Sequence, residues 1–253
     1  MREKAGQRRV DGILMEIKRF FAQKDPQSGK PVITGSEFYH LTRVLRYKEG
    51  YKAIACMGDG KDRLCTVEKL EKDRAVLKEE SCTDCAGDPS FPLTLFQSQP
   101  KGAKADFIVQ KAVELGAERI AFFASEHSAA EKFNLERARK IAVEACKQCG
   151  RSRAAEVEFL PDFASVLRAS AAPTLIMPYE RAESGSMAEA LEGSAGAVDV
   201  IVGSEGGFSE SEAQAAQAAG AKLVTLGRRI LRCETAAAVT LALVMYERGE
   251  LGK

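Results

Sequence analysis

A chain of 253 residues, 45% hydrophobic and 29% charged, can bury one large core or two modest ones and has the composition of a globular protein. No apolar run reaches the roughly 18 residues of a membrane-spanning helix, and the charged opening MREKAGQRRVDG lacks the apolar centre of a signal peptide. Seven cysteines with no export signal imply reduced thiols and a cytoplasmic protein, and a net charge of +1 selects no partner.

Taken in chain order, residues 1–14 fit no periodic pattern and read as a disordered extension or a misplaced translation start. Residues 15–86 read as a small β-barrel. EIKRFFAQ, KPVITG, YKAIACMG, RLCTVEKL and RAVLKEE are strand-like, and GDGK is a hairpin turn. One helix interrupts them, with Ser36 as its cap and Phe38, Leu41, Val44 and Leu45 on one face. His40 heads that face as a packing residue. This part is mildly basic, since residues 1–90 carry 18 Lys and Arg against 15 Asp and Glu and the remainder 19 against 21. Arg8, Arg9, Lys18, Arg19, Arg43, Arg46, Lys48 and Lys52 supply much of that charge, a weak sign of a polyanionic partner. SCTDCAGDPSFP then reads as a linker.

From residue 91 to 253 the pattern alternates. The apolar runs PLTLFQS, RIAFFAS, EVEFLP, PTLIMP, VDVIVG and KLVTLG are separated by helical stretches, which predicts a parallel α/β sheet covered on both faces. The last helix is apolar almost all round between Ala236 and Met245, so it is central to its domain or buried by a second subunit; a shared dimer interface is the expectation.

Two glycine-bearing loops follow strand-sized runs, VDVIVGSEGGFSESE (Val198 to Glu212) and KLVTLGRRILRCETAAAV (Lys222 to Val239). That is the layout of a ligand site at the C-terminal ends of parallel strands. A dinucleotide fold wants GxGxxG at the first strand–helix turn, where this chain has QSQPKGAK, and no GxxxxGK[ST] is present; nicotinamide and triphosphate ligands are disfavoured. Cys82 with Cys85 and Cys146 with Cys149 form two CxxC pairs, but the second pair lies in a predicted helix and the pairs are far apart in the chain, so no metal site is assigned.

GSEGGFS followed by LGRRILRCETA closely resembles the signature of the RsmE-type 16S rRNA (uracil-N3)-methyltransferases of the SPOUT superfamily. KRFFAQ, HLTRVLRYKEG, KGAKADFIVQKAVELGAERI and EACKQCGR extend the resemblance from about Lys18 to the C-terminus. It implies a PUA-like RNA-binding barrel joined to a trefoil-knotted α/β domain, S-adenosylmethionine bound in bent form by the knot loops, and a homodimer. It also implies 16S rRNA of the small ribosomal subunit as partner, with N3 of uracil 1498 as target. Gly203, Gly206, Gly207 and Gly227 would let backbone groups approach the cofactor. Ser204 stands in the same loop, and Met177, Val202, Leu226, Ile230 and Leu231 would form apolar walls.

For the chemistry, Arg232 is assigned to shelter the charge that develops on the uracil when N3 loses its proton. Glu205 would accept a proton or orient the base. Arg19, Arg43, Arg46, Lys101 and Arg151 are the RNA-contact candidates, and Lys111 and Glu114 read as an exposed pair one helical turn apart. Three positions depart from the family's pattern: Ser204 replaces a usual proline, His127 a common arginine, and Cys149 a serine. The competing expectations are a SPOUT methyltransferase of another RNA site and a non-catalytic RNA-binding ribosome assembly factor.

Overall fold

The computed structural model describes residues 7–10, 13–128, 132–182 and 184–252. The chain divides into two compact units. One runs up to Asp88 and includes Cys146–Arg153; the other is Pro89–Ala145 and the chain from Ala154 on.

In the first unit β1 (Gln7–Val10) and β2 (Ile13–Glu16) pair as an antiparallel ribbon, with Val10 opposite Ile13. Here the chain differs from the disordered stretch expected over residues 1–14, of which 1–6, 11 and 12 lie outside the described residues. The Asp-Gly pair between the two runs is a hairpin signal in the sequence itself. The remaining elements are β3 (Arg19–Phe21), β4 (Gln23–Lys24), β5 (Pro31–Thr34), α1 (Gly35–Tyr39), a π-helical turn (His40–Val44), β6 (Lys52–Cys56), β7 (Lys61–Leu70) and β8 (Arg74–Asp84). The sheet has the order β3-β6-β7-β8-β5-β4, parallel between β3 and β6 and antiparallel elsewhere. Register shifts in β7 at Leu64/Cys65 and Val67/Lys69 bend this long hairpin, as bulges do, and give a curled half-barrel. Phe20, Ile33, Leu41, Val67 and Leu77 fill its concave side.

Two local expectations are corrected. The helix begins one residue before Ser36, with Thr34 at the cap position and no side-chain capping bond, because Gly35 at φ +60° turns the chain straight out of β5. β8 continues to Asp84 and so takes up part of the stretch read as a linker, pairing Lys61 with Asp84.

The second unit contains β9 (Leu93–Ser98), α2 (Lys104–Glu114), β10 (Arg119–Phe123), α3 (Leu135–Cys149), β11 (Glu156–Leu160), α4 (Phe163–Ala169), β12 (Thr174–Pro178), α5 (Met187–Leu191), β13 (Val198–Val202), α6 (Glu210–Ala218), β14 (Lys222–Val224) and α7 (Cys233–Glu247). The last turn of α3 groups with the first unit. All six strands run parallel in the order β11-β10-β9-β13-β12-β14. Every residue of β13 is buried, as a strand covered on both faces requires. Strand order reverses between β9 and β13. There the buried Gln97 side chain donates to the carbonyls of Ser98 (2.9 Å) and Gly203 (3.0 Å) and fixes the strand ends. Polar side chains set the starts of the later helices. Asp162 caps α4, and reciprocal capping boxes form at Ser186/Glu189 and Ser209/Glu212.

The end of β14 is threaded through a loop. The Val224 carbonyl accepts from Tyr179 N–H at 3.0 Å, and the Thr225 N–H donates to the Gly185 carbonyl at 3.0 Å. The carbonyl and N–H of one peptide unit point in opposite directions, so the chain at 224–225 passes between the two ends of the loop that leaves β12 at Tyr179 and returns at Gly185. This is the kind of passage a knotted topology requires, and most folds avoid it. Beyond it α7 packs one face against α2, α5 and β13. Ala237, Leu241 and Val244 are buried there; Val239 and Leu243 are half-buried and Tyr246 is exposed.

Candidate functional site

The two glycine loops and the end of β12 enclose a cavity of about 340 Å³. Its lining includes Pro178 to Glu180, Val202 to Phe208, Thr225 to Leu231, Cys233 and Ala236. A groove of about 690 Å³ lined by residues such as Arg181, Glu210, Gln217 and Lys222 is larger, but only the smaller cavity is walled by the backbone of both loops.

The glycines make that backbone wall possible. Ser204 and Gly207 close a tight turn, with the Gly207 N–H donating to the Ser204 carbonyl at 3.1 Å and Gly207 at φ +64°. A Cβ on Gly207 would lie 2.8 Å from a Glu180 carboxylate oxygen, so a side chain there would fill the cavity wall. Gly227, at φ +100°, donates its N–H to Thr225 Oγ1 at 3.1 Å. Of the sequence-predicted cofactor residues, Val202, Gly203, Ser204, Gly206, Gly207, Leu226, Gly227, Ile230 and Leu231 line the cavity.

Met177 does not. It is fully buried in the core cluster with Phe96, Phe123, Ile201 and Phe208, and its neighbour Pro178 lines the cavity instead. Side chains alternate along a strand, so neighbouring positions serve opposite faces. Ile230 is 93% exposed, an unusual setting for a large apolar side chain on a cavity rim. Glu180 also lines the cavity and is not singled out by the sequence, because the YER after β12 matches no motif there.

The two departures at Ser204 and His127 meet in space. Ser204 Oγ donates to the His127 carbonyl at 3.2 Å, and His127 Nδ1 lies 3.1 Å from the Gly206 carbonyl, which makes that nitrogen the protonated one. A Cβ on Gly206 would lie 2.6 Å from His127 Cβ, so the segment after β10 sits directly on the loop. The Glu126 N–H donates to Glu212 at 3.0 Å and adds a second tie.

An acid–lysine cluster flanks the same loop. Lys104 Nζ donates to Glu205 at 2.6 Å and lies 3.9 Å from Glu234, and the Lys101 N–H also reaches Glu205 at 3.1 Å. Burial works to raise the Glu205 pKa, but the hydrogen bond from Lys104, Glu205's own backbone and the Lys101 N–H outweigh it and hold the carboxyl below its usual range. Glu234 is likewise held low against burial, by its own N–H, the Cys233 thiol and the charges of Lys104 and Arg232. Burial and these same carboxylates push the Cys233 thiol up to about 12, which makes it no nucleophile. Lys104 joins this cluster; it lies within KGAKADF, but its pairing is not legible in the sequence, because its partners lie a hundred or more positions away. Arg232 occupies the N-cap position of α7 with an extended backbone and an exposed side chain.

The sign of the linkage is clear for the Lys104–Glu205 pair. The depressed Glu205 stabilises the loop above its usual value of 4.5 and loses that contribution as pH falls through its folded value. The raised Lys104 contributes below 10.5 and loses its share as pH rises through its folded value. Lys104→Met is therefore expected to move the Glu205 titration upward, read by carbon-13 NMR of its side-chain carboxyl. An unmoved titration would show that the pair is not formed.

Two RNA-contact candidates need correction. Arg151 is 1% exposed and ion-paired with Asp88 at 3.3 Å, and Arg19 is paired through both terminal nitrogens with Asp62 at 2.5 Å. Guanidiniums held in this way build the first unit and are not presented to a polyanion. Arg43, Arg46 and Lys101 are exposed. Arg46 has φ +54° where it closes the helical segment, and Tyr39 and Val44 are exposed beside it. In the two CxxC pairs, the Cys85 thiol donates to the Gly150 carbonyl and Cys149 to the Cys146 carbonyl. Among the described residues no group of three or more His, Cys, Asp or Glu is placed to hold a metal ion.

The family model for the RNA methyltransferase domain matches residues 88–245, and that for the RNA methyltransferase PUA domain matches residues 33–80. Fold and matches together define a two-domain RNA methyltransferase. Ribosomal RNA small subunit methyltransferase E of Bacillus subtilis is 28% identical, over 85% of this chain and 89% of its own. The Mycobacterium bovis protein of that name is 29% identical, over 89% and 90%. The crystal structure of a ribosomal RNA small subunit methyltransferase E from Neisseria gonorrhoeae bound to S-adenosylmethionine superposes with a TM-score of 0.79 at 31% identity, covering 91% of this chain and 98% of that one. The chain belongs to the ribosomal RNA small subunit methyltransferase E family.

Proposed function

We propose that the protein transfers a methyl group from S-adenosylmethionine to N3 of one uridine in small-subunit rRNA, position 1498 in the family's numbering. The observation that carries this reading is the cavity walled by the two glycine loops. Its wall is backbone where a Cβ at Gly207 would intrude, its remaining lining offers apolar side chains such as Val202, Leu226, Ile230 and Leu231 beside a few charged ones, and it lies at the ends of parallel strands. This suits an uncharged adenosine read by main-chain groups, and a methyl donor without phosphates needs no anion cradle.

The cofactor, when bound, would supply a sulfonium methyl for N3, with sulfur keeping the bonding pair and the N3 proton lost to water. Arg232 stands at the start of α7, next to the cavity-lining Cys233, and is assigned to stabilise the negative charge spread over uracil O2 and O4. Glu205, held below the carboxylate range by Lys104, is a weak proton acceptor, and its role is to orient the loop and the base. Exposed Arg43 and Arg46 hold RNA phosphates, which makes binding strongly salt-dependent. The row of Val239, Leu243 and Tyr246 on α7 is the surface for a homodimer, checked by sedimentation at micromolar concentration. No helix among the described residues is long and apolar enough to cross a membrane, in keeping with a cytoplasmic protein acting on ribosomal particles.

The test is methyl transfer from labelled S-adenosylmethionine to small subunits lacking the modification, and to free rRNA, with the product mapped. One methylated uridine N3 supports the proposal. Methylation at another position supports the alternative RNA target, and cofactor binding without transfer to either substrate supports an assembly factor.

A further inference from the structure

One of the two carboxylates that line the cavity is set apart from the other and from the carboxylates of the neighbouring elements. Glu205 and Glu234 are engaged by Lys104, and Glu212 and Glu189 are committed to helix caps. Glu180 is exposed and lines the cavity between the two loops, and among the described residues no hydrogen bond or ion pair engages its carboxylate. It stands beside the loop, since a Cβ on Gly207 would lie 2.8 and 3.2 Å from its two oxygens. Arg228 and Arg229 line the same cavity and form no salt bridge with it among the described residues. A carboxylate with no ion pair among the described residues therefore faces a cavity lined by both apolar and charged side chains, where a ligand would displace water and strengthen its field.

We infer that Glu180 is the group that selects the charged, methyl-bearing cofactor over its spent form. The inference rests on the S-adenosylmethionine reading above. The amino-acid tail of that cofactor is a zwitterion both before and after reaction, so it contributes no net charge in either form. The sulfonium makes the methyl donor a net cation; once the methyl has left, the thioether product is neutral. A carboxylate at the cavity wall that faces the sulfonium, and not the amino-acid tail, attracts the first and is nearly indifferent to the second. Glu180 thus biases the site toward loading before transfer and toward release after it. Its contact is with the cofactor, not with the base, so its effect appears in binding.

The experiment is titration calorimetry of the full-length protein with S-adenosylmethionine, S-adenosylhomocysteine and 5′-methylthioadenosine, for wild type, Glu180→Gln and Glu180→Asp. Glu180→Gln is expected to weaken S-adenosylmethionine about tenfold, the size of a 1.4 kcal/mol electrostatic contribution, and to change the two neutral ligands by less than about twofold. Glu180→Asp should recover most of the lost affinity. Glu180 is exposed and has no hydrogen bond or ion pair among the described residues, so all three proteins should melt at the same temperature. Equal losses for S-adenosylmethionine and S-adenosylhomocysteine would assign the carboxylate to the ammonium that both carry, and no change in any ligand would remove it from the site; either overturns the inference. Failure of the wild type to bind S-adenosylmethionine at all would instead overturn the functional reading beneath it.

Discussion

Arg232→Ala is expected to lower methyl transfer by about 10²–10³-fold, the range seen when one donor to a developing negative charge is removed. Affinity for S-adenosylmethionine should stay within about twofold of wild type. The reasoning starts from position. Arg232 lies between two residues, Leu231 and Cys233, that line the cavity, but is not itself part of the lining. Its extended backbone at the N-cap lets α7 start without any capping bond from its side chain, so the helix does not depend on the guanidinium. Negative charge on the uracil appears only as N3 gives up its proton, so a cation placed for it acts on turnover more than on cofactor binding. Turnover by the variant equal to wild type would take Arg232 out of the mechanism. Lost cofactor affinity together with lost turnover would move it to the binding site. Arg232→Lys separates charge from geometry, since a lysine keeps the charge but loses the planar fork.

Gly185→Ala should be the most damaging glycine substitution in the second unit. Gly185 sits at φ +103°, and a Cβ there would lie 2.5 Å from the main-chain carbonyl oxygen of Leu223. That oxygen belongs to the threaded segment and cannot swing aside as a flexible side chain would. The loop from Tyr179 to Gly185 would have to open, which breaks the hydrogen bond from Thr225 N–H and shifts the start of the loop 225–231. A cost of about 3 kcal/mol or more is expected, combining backbone strain with a main-chain clash. Gly220→Ala is the matched control. Gly220 also has positive φ, +90°, but nothing lies within 4 Å of its added Cβ, so it carries only the strain of about 1 kcal/mol. Urea unfolding midpoints compare the two. Similar midpoints for both variants would mean that the threading contact at Gly185 contributes little. Because the same loop borders the cavity, Gly185→Ala should also weaken cofactor binding, which Gly220→Ala should not.

The alternation of apolar and helical segments is legible because β9, β10, β12 and β13 are buried and hydrophobic, and the longer helices α2 and α3 between the early strands are amphipathic. Capping boxes at Ser209/Glu212 and Ser186/Glu189 are local, although α5 itself is so short that periodicity gives no signal. The ribbon of β1 and β2 is hard to read from sequence because two short charged runs outweigh a single Asp-Gly turn signal in composition. Arg19 and Arg151 mislead for a related reason. An arginine in a basic sequence looks like a surface cation, and its partners Asp62 and Asp88 are 43 and 63 positions away.

By itself the sequence determined which residues form the two glycine loops, that the site lies at the ends of parallel strands, and which family the motifs resemble. These are properties of neighbouring residues: a glycine frees the backbone wherever it stands, and an apolar run after it or before it is local. Only the tertiary structure decided that Met177 is core and Pro178 is wall, that Lys104 bridges Glu205 and Glu234, that Ser204 and His127 lean on each other, and that Glu180 has no partner among the described residues. Those outcomes depend on distances between residues separated by tens to more than a hundred positions. Charge pairing and burial act through space, and a chain passed through its own loop brings together residues that no sequence spacing relates.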